Sequence, residues 1–107
     1  MKRMRVLISG HHQIAHTMLR HLTRRPGYHW HVCCEVADGP SAVIKAFELR
    51  PDLVVLNAET PVLDGVSSGR EIRVFLPEVP IFICTSFALF RLEALARCPQ
   101  RAATFTQ

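Results

Sequence analysis

The chain has 107 residues, of which 49% are hydrophobic and 21% charged, and its formal net charge is +4. This length suits one globular domain, 1–107, and the composition excludes a disordered or collagen-like chain. The apolar runs are too short for a membrane helix or a secretion signal, so we expect a cytoplasmic protein with no membrane partner. The positive charge permits an acidic partner, but no nucleic-acid motif accompanies it, and a nucleic-acid partner is not expected.

The first third of the chain predicts two strands separated by a helix. An apolar run over 4–9 ends at Gly10, a residue that often closes a strand. Apolar residues recur at helical spacing over 14–25 and predict a helix, which a Pro-Gly pair ends. Apolar and polar residues then alternate over 30–36, as in a half-buried strand.

The middle of the chain predicts a second helix and a central strand. The turn at 38–41 opens the helix, with Asp38 or Ser41 as its N-cap. Residues 52–57 are nearly all apolar, which indicates a parallel strand covered on both faces.

The last third predicts two helices and two strands. A helix opens at 64–65 and stops before Pro77, and a short buried strand follows over 81–85. Helical spacing predicts another helix over 88–97, and 101–107 has room for one short strand.

This alternation of strands and helices with short connections predicts a flavodoxin-like, doubly wound α/β fold. Its parallel five-stranded sheet would have the order 2-1-3-4-5. Ligands of such sheets bind at the carboxyl ends of the strands, so the candidate functional residues lie at 9–12, 57–59 and 85–86.

The sequence also resembles the receiver domains of bacterial two-component response regulators, most closely those joined to LuxR-type (NarL-type) DNA-binding modules. The segments that carry this resemblance are 5–12, 35–42, 49–57, 60–65 and 76–85. The resemblance covers nearly the whole chain, and these segments together and in this order are a strong signal of it.

The resemblance assigns roles to particular positions. In receiver domains, two acidic residues after the first strand and an aspartate ending the third strand hold Mg²⁺, and that aspartate accepts the phosphoryl group. Here the acidic pair falls on Gly10 and His11, and the phospho-acceptor position is Asn57. The hydroxyl that contacts the phosphoryl group falls on Thr85, and the lysine that ends the fifth strand falls at or beyond Gln107.

The residue at the acceptor position cannot perform the acceptor's chemistry. The Asn57 carboxamide is neutral, and its oxygen is a poor nucleophile compared with a carboxylate. Loss of all three carboxylates also removes the negative field that recruits Mg²⁺. We therefore expect a pseudo-receiver with no bound metal, no cofactor and no enzyme activity. Thr85 would then bond only to nearby backbone.

Receiver domains usually carry a fifth helix, for which this sequence has no room. Its absence should expose apolar residues of the first and fifth strands and of the first helix, among them Ile14, Met18 and Phe105. A homodimer partner, a histidine kinase or another regulator could cover that face. The sequence therefore predicts a stand-alone, phosphorylation-independent receiver that acts by protein–protein interaction.

The alternative prediction is a small-ligand or metal-binding sensor that uses the altered pocket. Its residues would be Gly10, His11, Asn57 and Thr85. His12 and His16 lie four residues apart, as zinc ligands on a helix do. Gln13 replaces the glutamate of the zinc-protease pattern, so a metal site is not expected.

Overall fold

The computed structural model describes residues 2–10, 28–58, 64–85 and 89–96. These ranges contain five strands and three helices. In chain order they are β1 (Lys2–Ser9), β2 (Tyr28–Val36), α1 (Gly39–Leu49), β3 (Leu53–Asn57), α2 (Gly65–Phe75), β4 (Ile81–Cys84), β5 (Leu89–Arg91) and α3 (Leu92–Ala96). The helix predicted over 14–25 and the strand predicted within 101–107 lie outside the described residues. No helix in the described ranges is long and apolar enough to cross a membrane.

The five strands form one sheet in the order β2-β1-β3-β4-β5, which confirms the predicted order. The first four strands are parallel, and β1 and β3 are neighbours at the centre. The carboxyl ends of β1, β3 and β4 therefore lie along the same edge of the sheet. This is the flavodoxin-like arrangement that the sequence predicts.

The fifth strand corrects the prediction for the end of the chain. Leu89–Arg91, which falls inside the helix predicted over 88–97, pairs antiparallel with β4. Helical spacing alone cannot separate a strand from a helix in so short an apolar run. The free edge of β4 offers backbone hydrogen bonds to these residues, and Phe82 lies opposite Arg91 with the guanidinium 5.5 Å from the ring centroid.

An arginine on α2 fixes the short helix that follows β5. The Arg73 guanidinium donates to the carbonyl oxygens of Leu76, Pro77 and Val79 at 2.9, 3.1 and 2.6 Å. It also forms an ion pair with Glu93 of α3. The loop before β4 and helix α3 are therefore held by one side chain.

The core occupies both faces of the sheet, and β3 contributes to each. Val54 and Leu56 pack with residues of α1 and α2, whereas Leu53 and Val55 pack on the opposite face. All four side chains are buried. This confirms the prediction that 52–57 contains a central strand covered on both faces.

A bulge in β2 changes the simple alternation predicted for 30–36. Val6 pairs with Val32, but Leu7 pairs with Cys34, so Cys33 is left out of the register. Val32 consequently packs on the face of Val6, while Cys34 packs on the opposite face with Leu7. The extra residue shifts the side-chain alternation by one position.

Aspartates begin both long helices. Asp38 is the N-cap of α1 and accepts from the Ser41 backbone N–H at 2.8 Å, so the first of the two predicted caps is the one used. Asp64 caps α2 and accepts from the Ser67 backbone N–H at 2.9 Å. Each aspartate satisfies a backbone donor that the helix leaves free.

The expected exposure of strand one is wrong. Val6 and Ile8 of β1 are fully buried, as is Val55 beside them. The other residues named in that expectation, Ile14, Met18 and Phe105, lie outside the described ranges.

Candidate functional site at the strand ends

Three strand ends meet at the edge predicted to carry the site. Ser9 at the end of β1 pairs with Leu56, and Asn57 at the end of β3 pairs with Cys84 of β4. Thr85 follows Cys84 directly and is half-buried. We refer to Gly10, Asn57, Gly65 and Thr85 as the strand-end site.

Gly10 lies directly against Asn57. Its φ is +95°, a left-handed conformation that is unfavourable for residues other than glycine. A Cβ atom added to Gly10 would lie 2.1 Å from Asn57 Cβ and 3.1 Å from Asn57 Nδ2. The Gly10 backbone N–H donates to the Val36 carbonyl oxygen at 3.0 Å, which holds the backbone in this place. Asn57 therefore fills the volume that a side chain at position 10 would need.

A second glycine approaches Asn57 from the start of α2. A Cβ atom on Gly65 would lie 2.3 Å from the Asn57 carbonyl oxygen. The Gly65 N–H donates to the Ala58 carbonyl oxygen at 3.2 Å, and the Ala58 N–H donates to the Cys84 carbonyl oxygen at 3.0 Å. The sequence places Gly65 at the opening of a predicted helix, but its close packing against Asn57 is visible only in the structure.

The structure therefore places some of the site residues predicted from the sequence close together. Gly10 and Asn57 are in contact, and Thr85 lies one residue beyond the strand partner of Asn57. His11, His12 and His16 lie outside the described residues. Within the ranges that the structure describes, no group of three or more His, Cys, Asp or Glu side chains could hold a metal ion.

Two further side chains at this edge bear on its chemistry. Cys84 is buried, and burial raises the pKa of its thiol, so this group is not an activated nucleophile that could replace the missing carboxylate. The Ser9 hydroxyl is buried as well, and it has no hydrogen-bond partner among the described residues. The sequence places Ser9 among the candidates at 9–12 but does not predict that its hydroxyl is unsatisfied, because that depends on what surrounds the hydroxyl in the fold.

Comparison with known proteins identifies relatives of this chain. The response regulator protein VraR of Staphylococcus epidermidis is 40% identical over 53 residues, which make up 50% of this chain and 25% of that protein. The chain thus spans about a quarter of the length of the curated relatives that it matches. No family model matches the chain.

Solved structures match over a larger share of the chain. A two-component response regulator of the LuxR family from Aurantimonas sp. SI85-9A1 has a TM-score of 0.59 and 31% identity, covering 77% of this chain and 58% of that one. The receiver domain of the sensor histidine kinase PA1611 from Pseudomonas aeruginosa has a TM-score of 0.55 and 32% identity, covering 77% of this chain and 66% of that one. The latter structure has a magnesium ion coordinated in its active-site cleft.

The sheet order, the strand-end location of the site and these matches define the chain as an α/β signalling domain of the flavodoxin-like class. More specifically, it is a receiver domain of the response-regulator type, similar to those of LuxR-family regulators.

Proposed function

We propose that this receiver domain works in two-component signalling without being phosphorylated, and that it acts by binding another protein. The observation that carries the proposal is the contact between Gly10 and Asn57 at the strand-end site. Receiver domains interact with kinases and other regulators, so the partner proposed here belongs to one of those groups. The proposal includes a cytoplasmic location and no catalytic activity.

The chemistry of Asn57 supports this proposal. Phosphorylation of a receiver requires a nucleophilic oxygen and a magnesium ion held by oxygen ligands. Asn57 supplies a neutral amide, Gly10 has no side chain, and His11 offers a ring nitrogen in place of a carboxylate. None of these positions provides the negative charge that attracts Mg²⁺.

The packing of Gly10 supports it independently. A receiver with the usual acidic pair needs room for a side chain at this position, but a Cβ atom added to Gly10 would lie only 2.1 Å from Asn57 Cβ. Atoms at that separation overlap. An acidic residue at position 10 would therefore require the end of β1 to move.

The test is the intact mass of the protein after incubation with acetyl phosphate and Mg²⁺. We expect the wild-type mass to stay unchanged, while a receiver that retains all three carboxylates gains one phosphoryl group in the same buffer. A stable phosphoryl adduct on the wild-type chain would contradict the proposal.

Two variants distinguish the loss of the acceptor carboxylate from the loss of the acidic pair as the reason for the absence of phosphorylation. Asn57→Asp alone should restore little, since the acidic pair is still missing. His11→Asp combined with Asn57→Asp adds a second carboxylate without placing a side chain at Gly10. Efficient phosphorylation of Asn57→Asp alone would show that the acidic pair matters less than we propose.

A further inference from the structure

The large apolar side chains that are exposed in the described residues all lie on α1 and α2. Ile44 and Phe47 of α1 are 56% and 58% exposed, and Val74 of α2 is 83% exposed. Single exposed apolar residues are common, but apolar patches of about 300–600 Å² are often functional.

Ile44 and Phe47 lie on one face of α1, and α2 meets that face through Phe75. Ile44 and Phe47 are three residues apart on α1 and so share a face of the helix. The Phe47 and Phe75 rings meet edge to face with their centroids 5.4 Å apart, and Val74 is the neighbour of Phe75 on α2. We call Ile44, Phe47, Arg50, Val74 and Phe75 the α1–α2 patch.

An arginine is fixed over the aromatic part of the patch. The Arg50 guanidinium lies 5.3 Å from the Phe47 ring centroid and 5.8 Å from that of Phe75. Its Nη1 atom donates to the Phe75 carbonyl oxygen at 3.2 Å, and its backbone N–H donates to the Ala46 carbonyl oxygen at 3.0 Å. Arg50 is nevertheless exposed, and it forms no ion pair with a carboxylate in the described part of the chain.

A fixed, exposed guanidinium beside apolar side chains suits a carboxylate ligand. Arginine has several N–H donors, and one donor of Arg50 is used by Phe75. Stacking on two rings reduces the conformational entropy that the side chain would lose on binding. Arginine and aromatic residues are also the side chains most enriched among those that dominate binding energy at interfaces.

The charge around the patch indicates which kind of partner fits. Lys45 and Glu48 neutralise each other, with Nζ and Oε2 3.2 Å apart. Arg70 and Glu71 of α2 are exposed with opposite charges, whereas Arg50 forms no ion pair among the described residues. The whole chain carries +4, so a second copy would be repelled and an acidic partner attracted.

We propose that the α1–α2 patch binds an acidic amphipathic peptide segment of another protein. Apolar side chains of that segment pack on Ile44, Phe47 and Val74, and a carboxylate pairs with Arg50. This inference rests on the proposed function, since it assigns the surface through which an unphosphorylated receiver would act.

The experiment pans a phage-displayed library of random dodecapeptides on the full chain and measures the enriched peptides by fluorescence anisotropy. We expect the enriched sequences to combine Leu, Ile or Phe with Asp or Glu. Binding should weaken at least about tenfold in Ile44→Gln/Val74→Gln and in Arg50→Gln, as it does when a residue central to an interface is truncated. Arg50→Glu should shift the enriched peptides toward Lys and Arg.

Arg3→Gln is the matched control, because it removes the same charge from an exposed position on β1. Its binding should stay within about threefold of the wild type if the effect at Arg50 is local rather than due to net charge. Circular dichroism of each variant checks that the helices are intact.

Several results would overturn the inference. They are the absence of enriched peptides, enriched peptides without acidic residues, equal binding by the patch variants, or an Arg3→Gln effect as large as that of Arg50→Gln. Self-association that disappears in Ile44→Gln/Val74→Gln would assign the patch to a second copy instead. None of these results bears on the acetyl phosphate test, so failure of the patch and failure of the proposed function are distinguishable.

Discussion

The strand-end site and the α1–α2 patch use side chains in opposite ways. At the site, Gly10 and Gly65 bring backbone so close to Asn57 that an added Cβ atom would overlap it. At the patch, Phe47 and Val74 extend large apolar groups toward solvent. The comparison indicates that the surroundings of Asn57 are tightly packed, while the large apolar side chains exposed in the described residues lie on α1 and α2.

The largest effect is expected where the site is tightest. Gly10→Ala should lower the free energy of unfolding by about 3 kcal/mol, because it combines a left-handed backbone with overpacking against Asn57. Urea denaturation measures this change. Asn57→Gly removes the atom that the added Cβ would strike, so the double variant should lose less stability than the sum of the single variants.

Gly69→Ala on α2 is the control for that prediction. Its added Cβ atom would meet the Leu92 Cδ1 atom at 3.0 Å, but this atom ends a side chain that can shift. Alanine also favours a helix over glycine by up to about 1 kcal/mol. Equal destabilisation by the two substitutions would show that Gly10 is not held unusually close to Asn57.

A smaller effect of opposite sign is expected at Ser9. Ser9→Ala should raise the free energy of unfolding by about 1 kcal/mol, since it removes a buried hydroxyl that has no partner among the described residues. Ser68→Ala is the matched control, because the Ser68 hydroxyl is buried but donates to the Asp64 carbonyl oxygen at 2.8 Å. Ser68→Ala should lower the free energy of unfolding. A loss of stability in Ser9→Ala would mean that its hydroxyl makes an interaction essential to the site.

The N-cap of α1 gives a pH-dependent prediction for the helix that carries half of the patch. Hydrogen bonds from the Ser41 backbone N–H, and then from its hydroxyl, hold the pKa of Asp38 below its ordinary value of 3.8. A lowered pKa contributes stability above the ordinary value and loses it as the pH falls through the folded-state pKa. The stability advantage of the wild type over Asp38→Asn should therefore shrink below about pH 4.

Chemical denaturation of both proteins between neutral pH and about pH 2 would measure the difference. An advantage of the wild type that grows on acidification would contradict the assigned role of the Asp38 carboxylate. The comparison removes most of the pH dependence that other carboxylates contribute, because both proteins share them.

The smallest effect on stability is expected at the patch itself. Val74→Gln should change the free energy of unfolding by less than about 0.5 kcal/mol, since the side chain is 83% exposed and glutamine is a good helix former. Thermal unfolding followed by circular dichroism tests this. A marked loss of stability would indicate that Val74 supports the fold, and would weaken the contrast between the patch and the strand-end site.

Much of the fold follows from local sequence. The apolar run that ends at Asn57 predicts a buried central strand, and Asp38 is one of two caps that the sequence predicts for α1. Burial of β3 and satisfaction of a helix start depend on a few adjacent residues. The bulge at Cys33 and the strand at Leu89–Arg91 could not be predicted in this way. Both depend on pairing with another strand: β1 sets the register of β2, and β4 offers a free edge to Leu89–Arg91.

The same division applies to the candidate site. The sequence by itself determined that Asn57 is a neutral amide and that Gly10 has no carboxylate, whatever the fold. Only the tertiary structure decided that Gly10 lies against Asn57, that Gly65 lies beneath it, and that Phe47 and Arg50 meet Phe75 on the outer surface. Residue type fixes what a group can do, whereas contacts between residues distant in sequence depend on how the strands pair and the helices pack.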